Sequence, residues 1–86
     1  MKEFSYTIQD PLGIHARPAG MLAKAAKEFA STTITVEKDG KTVKASQLMK
    51  LMSLGVKAGN TVTVRAEGDD EAAAITAMEE FFKANL

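Results

Sequence analysis

Apolar residues in this chain recur at two spacings, every second position in some stretches and helical spacing in others, and the two alternate along the sequence. That switching restricts the chain to strands layered against helices, because each element has one apolar face to hide. Phe4, Tyr6 and Ile8 alternate with Ser5, Thr7 and Gln9, which predicts a half-buried strand over residues 3–10. "DPLG" reads as a turn. Ala19, Leu22, Ala23, Ala26, Phe29 and Ala30 then form one stripe of a helix running from Ala16 to about Ala30, with Lys24, Lys27 and Glu28 off it. "TTITVEKDGKTVKA" predicts a hairpin with Ile34, Val36 and Val43 inward and Asp39-Gly40 in the turn. "SQLMKLMSLG" predicts a short helix that Ser46 can cap and Gly55 can stop. "NTVTVRAEG" is a strand with Val62, Val64 and Ala66 on one face. The last segment is a helix with an acidic first turn and a stripe of Ala74, Ile75, Met78, Phe81 and Phe82. The order is βαββαβα, an α+β two-layer sandwich of an antiparallel sheet with helices on one face.

Residues 1–86 are expected to form a single domain, since so short a chain has no room for a second core. A hydrophobic share of 45% with 26% charged residues is globular material rather than disorder. With no cysteine there is neither a disulfide framework nor a thiolate site. The N-terminal segment has no apolar core of a signal peptide, and no stretch is long enough to span a bilayer, so a soluble cytoplasmic protein is expected. Eleven basic and eleven acidic residues cancel, which argues against nucleic-acid binding through bulk charge.

The chemistry concentrates in "GIHARPAG", which holds His15, the only histidine. Pro18 lacks an N–H and is tolerated in a first helical turn, so the helix is expected to begin at His15 or Ala16. The imidazole then sits beside the free backbone N–H groups of Ala16 and Arg17, at a helix end that favours anions and phosphate above all. Arg17 adds a fork of donors matched to phosphoryl oxygens. Imidazole is the side chain best suited to act as a nucleophile near neutral pH, and a positive helix end beside Arg17 favours its neutral form. These groups suffice to accept, hold and surrender a phosphoryl group. They do not suffice for hydrolysis, because no general base stands near them in the sequence. A structural histidine at a helix start is the plainer reading of the same residue. No metal or other cofactor is expected, since a site would have to be completed by carboxylates alone.

"GIHARPA" resembles the active-site signature of HPr, the histidine-containing phosphocarrier family of the bacterial phosphoenolpyruvate:sugar phosphotransferase system. The likeness extends over the whole chain through "DGKTV", "LMSLGVKAG" and "VTVRAEGDDE". It implies an open-faced sandwich with strand order 1-4-2-3. It also implies that His15 takes a phosphoryl group on Nδ1 from phosphorylated enzyme I and passes it to enzyme IIA proteins or domains of sugar permeases. Arg17 matches the phosphate-assisting arginine and Pro18 the proline of the helix start. Such a protein is a monomeric relay rather than a turnover enzyme. The alternative is an HPr-like regulatory binding module without carrier activity, although such relatives lose the histidine that is kept here. A small RNA-binding or metal-carrying domain of similar layout would need aromatics on the open sheet face or cysteine pairs.

The short helix "QLMKLMSL" is too apolar for one buried face. Leu48, Leu51 and Leu54 fit a stripe toward the sheet, while Met49 and Met52 form a second stripe rotated outward. Together Gly20, Met21, Leu48, Met49 and Met52 are expected to give a deformable docking surface, with Lys24 and Lys27 steering acidic partners. Many relatives carry a regulatory serine at the start of this helix, which brings in an HPr kinase/phosphorylase and a catabolite-control repressor as partners. Ser46 lies 31 residues after His15, as that serine does, but the count back from Gly55 favours Gln47. One extra residue in "ASTTITV" reconciles the counts, because an insertion inside a packed helix would rotate its stripe by about 100°. Gln47 is therefore placed at the regulatory position and Ser46 beside it.

Overall fold

A computed structural model describes all residues, 1–86. The elements are β1 (Lys2–Thr7), α1 (Ala16–Lys27), β2 (Thr32–Lys38), β3 (Lys41–Lys44), α2 (Leu48–Ser53), β4 (Thr61–Gly68) and α3 (Glu71–Asn85). All strand pairs are antiparallel and the sheet order is β1-β4-β2-β3. The first and last strands of the chain therefore meet at one side of the sheet, and the hairpin supplies the other. The βαββαβα order and the 1-4-2-3 arrangement are those expected above.

The three helices cover the face carrying Ile34, Val36, Val43, Val62, Val64 and Ala66, all buried. Phe82 anchors the centre of this layer. Its ring meets Phe4 and Tyr6 edge-on, each with ring centroids 5.7 Å apart, so the β1 aromatics face α3. The opposite face is a lattice of hydroxyls, with Thr7 against Thr61 at 2.9 Å and Ser5 against Thr63 at 3.3 Å. Arg65 bridges three strands there. It pairs with Glu3 of β1 and Glu37 of β2, and the hydrogen bond to Glu37, then that to Glu3, holds its guanidinium pKa above the ordinary value.

Three local expectations need correction. Helix α1 ends at Lys27 rather than near Ala30, because the N–H groups of Glu28 and Phe29 turn back to Ala25 and Ala26 in a tightened last turn. Phe29 then packs at the core margin while Ala30 is exposed. In α2 only Leu51 is buried, with Leu54 just beyond it, and Leu48 is 38% exposed. A run at i, i+3, i+6 drifts by about 120° around a helix, so its first member falls off the buried face. Finally, Gln47 and not Ser46 is the N-cap of α2, with no side-chain cap bond.

Candidate functional site

The loop from β1 into α1 is fixed before the first candidate residue is reached. Asp10 accepts the Gly13 N–H on its carbonyl at 2.9 Å and the Leu12 N–H on Oδ1 at 2.8 Å, which closes a turn around Pro11. Gly13 has φ +69, and a Cβ there would strike the Val56 carbonyl and come within 2.7 Å of Lys57 Cα. That close approach lets the Ile14 N–H donate to the Val56 carbonyl at 3.1 Å, and Ile14 is buried in the core. Ile14 thus clamps the loop from below and delivers His15 to the surface.

His15 is the N-cap of α1, in an extended conformation with φ −97 and ψ −177. Its carbonyl accepts the first helical bond, from the Ala19 N–H at 2.9 Å. Because Pro18 has no N–H, the donors at this helix end are those of Ala16 and Arg17, which have no acceptor within the helix. The helix therefore starts where the proline requires. The imidazole is 36% exposed, Arg17 is exposed and Pro18 is buried. His15, Arg17, Pro18 and Met21 line one shallow hollow of about 260 Å³ together with Asp10 and Asn85.

Asp10 and Asn85 did not emerge from the sequence. The Asp10 Oδ2 lies 3.9 Å from His15 Nε2, so a carboxylate does stand beside the imidazole, contrary to expectation. It occupies the Nε2 side and leaves Nδ1 as the other ring nitrogen. Asn85 reaches the same hollow from the end of α3. Its Nδ2 donates to the Phe81 carbonyl at 3.1 Å, while Gln9 and Asp10 donate their N–H groups to the backbone oxygen of Leu86 at 2.6 and 2.9 Å. The end of α3 is seated by these bonds against the strand exit that carries Asp10. Five positions separate Asp10 from His15 across an irregular turn, and no periodic pattern reads such a pair.

Helices α1 and α2 pack together and carry the exposed apolar side chains Met21, Leu48, Met49 and Met52, with Met49 76% exposed. Leu12, in the turn before α1, is a further exposed apolar side chain, at 71%. Lys24 and Lys27 are exposed on α1, and Gly20 is half-buried with open space where a Cβ would stand. Ser46 is half-buried at the edge of a different hollow, of about 290 Å³, between the end of α1 and the hairpin.

Residues 2–84 match the family described as PTS HPr component phosphorylation site. The phosphocarrier protein HPr of Mycoplasma genitalium is 39% identical over 85 residues, covering 99% of this chain and 97% of its own. Among solved structures, HPr from Thermoanaerobacter tengcongensis superposes with a TM-score of 0.91 at 46% identity, covering 98% of this chain and 93% of its own. The catabolite repression containing protein Crh of Bacillus subtilis, described as a dimer with a swapped domain, superposes with a TM-score of 0.78 at 34% identity and covers all of this chain and 98% of its own.

Proposed function

This chain belongs to the HPr family of phosphocarriers, and we propose on that footing that His15 accepts a phosphoryl group from phosphorylated enzyme I and passes it to enzyme IIA proteins or domains of sugar permeases. The lone pair of Nδ1 attacks phosphorus. A P–N bond forms while the donor's bond to phosphorus breaks, and that bonding pair leaves with the donor. The Arg17 guanidinium and the N–H groups of Ala16 and Arg17 hold the phosphoryl oxygens at the α1 terminus. In the second transfer the acceptor attacks the same phosphorus and the P–N bond to His15 breaks. The protein ends unchanged, a covalent relay rather than a turnover enzyme, acting as a cytoplasmic monomer. The carrying observation is the half-exposed imidazole at the start of α1, with two free N–H groups and an exposed arginine beside it.

Partners dock on Gly20, Met21, Leu48, Met49 and Met52, which flank the α1 terminus, while Lys24 and Lys27 attract acidic surfaces. One adaptable surface serves both donor and acceptor, because unbranched methionines repack against different partners. Gln47 holds the position of the regulatory serine in this reading. Ser46 is therefore expected to stay unmodified when the protein is treated with a bifunctional HPr kinase and ATP and examined by mass spectrometry. A phosphoryl group on Ser46 would reinstate seryl control and a catabolite-control repressor as a partner.

The 34% identity with Crh supports a second reading, a regulatory binding module without carrier activity. One experiment separates the two. The protein is incubated with phosphoenolpyruvate, magnesium and enzyme I and examined for an added phosphoryl group that is labile to acid and stable to base. The relay reading expects the label on wild type and none on His15→Ala. It fails if wild type stays unmodified or the variant labels equally.

A further inference from the structure

The segment from Gly40 to Ala66 contains five cationic residues and no acidic one. Three of its lysines, Lys41, Lys44 and Lys50, converge with Thr42, Gln47 and Ser53 on a cleft of about 370 Å³ between β3 and α2. None of the three forms an ion pair, and no carboxylate lines the cleft. The walls are tied together: Lys38, beside the hairpin turn, donates its Nζ to the Gly55 carbonyl at 3.0 Å, just past the end of α2.

The backbone of β3 adds donors to the same space. The Ala45 N–H bonds to the Ile34 carbonyl at 2.8 Å, and the register pairs Val36 with Val43 and Thr35 with Lys44. Antiparallel alternation then turns the N–H groups of Thr42 and Lys44 away from β2, toward the free edge. Helix α2 packs against β3, and the cleft between them has room for a small ligand. Ser53 contributes only an acceptor, since its hydroxyl hydrogen goes to the Lys50 carbonyl at 2.8 Å.

We propose that this cleft binds a small multiply phosphorylated anion, held by Lys41, Lys44 and Lys50 and by the edge N–H groups of Thr42 and Lys44. The site is separate from His15, which lines a different hollow, and does not depend on the relay reading. Two phosphate groups match it better than one, because three ammonium groups without a carboxylate leave more charge than a single phosphate neutralises.

The test is a titration of the intact protein with inorganic pyrophosphate at low ionic strength, followed by amide chemical shifts. Saturable shifts are expected at Thr42, Lys44, Gln47 and Lys50, with inorganic phosphate binding more weakly. Each of Lys41→Gln, Lys44→Gln and Lys50→Gln should weaken pyrophosphate binding by up to about fivefold, the range of single exposed charge pairs. The control Lys83→Gln, on α3, should leave the affinity unchanged. Shifts confined to His15 and Arg17, non-saturating shifts spread over all lysines, or a triple variant that binds as tightly as wild type would each overturn the proposal. Circular dichroism on the triple variant, whose changes are all on exposed side chains, verifies that the fold is retained.

Discussion

Arg17 and Asp10 divide the surroundings of His15 between them. Arg17 is exposed, makes no ion pair within the protein and follows the helix start, so its guanidinium is free for a phosphoryl group. Arg17→Ala should slow phosphoryl transfer by about ten- to a hundredfold, the loss of one or two charge-assisted hydrogen bonds. The unfolding free energy should change by less than about 0.5 kcal/mol, as at other exposed positions. A large drop in denaturation midpoint would make Arg17 structural instead. Asp10 has a different part, since its Oδ1 is engaged by Leu12 and its Oδ2 faces the Nε2 side of the ring. A carboxylate there favours the tautomer with the proton on Nε2, which frees the Nδ1 lone pair for attack. Asp10→Asn can keep the turn bond to Leu12 while removing the charge. Imidazole nitrogen shifts should then show less of the Nε2–H tautomer, and transfer should slow a few-fold. Unchanged tautomer populations would remove Asp10 from the mechanism.

The loop before α1 and the short helix α2 show what individual elements contribute. Gly13 combines a left-handed backbone with a contact that no Cβ could occupy, and the Ile14 anchor depends on both. Gly13→Ala should therefore destabilise the protein by about 2 kcal/mol or more, through strain and displaced backbone. Denaturant unfolding measures this, and a loss below half that size would mean that the loop relaxes freely. Helix α2 is the converse case. Met49 touches little of its own protein, so Met49→Asp should leave stability unchanged while lowering the rate of transfer to an enzyme IIA partner. Equal transfer rates would move the docking surface elsewhere. The contrast explains what the sequence could disclose. Strands such as Thr61–Gly68 were legible because Val62, Val64 and Ala66 alternate over a full element. The six residues of α2 were less so, because a helix that short turns too few times to define its inward face, and Leu48 was misplaced. The signature of "GIHARP" placed His15 and Arg17 at the helix start, as its proline requires. Asp10 and Asn85 gather there only through turn closure and the seating of α3, which no local pattern encodes.

Over the whole molecule a net charge of zero conceals a strong asymmetry. Residues 40–66 carry Lys41, Lys44, Lys50, Lys57 and Arg65 without an acid, whereas residues 67–82 carry Glu67, Asp69, Asp70, Glu71, Glu79 and Glu80 without a base. The fold sets Lys41, Lys44 and Lys50 apart from the acids of α3, while Arg65 stays on β4, paired with Glu3 and Glu37. Helix α2 packs on β3 at one edge of the sheet, α3 packs on β1 and β4 toward the other, and α1 lies between them. Helix α1, which carries Arg17 and the exposed Lys24 and Lys27, packs against α2 of the basic side. A partner with an acidic surface would be oriented during approach as well as attracted, which raises the association rate more than the affinity. Screening should remove that advantage, since the Debye length falls from about 30 Å at 0.01 M salt to about 8 Å at physiological ionic strength. The rate of phosphoryl transfer from enzyme I at low reactant concentration should accordingly fall by about tenfold across that range. Lys24→Glu with Lys27→Glu should slow the low-salt reaction and flatten most of its salt dependence while His15 remains fully phosphorylated at long times. A wild-type rate indifferent to salt would show that encounter does not use this asymmetry.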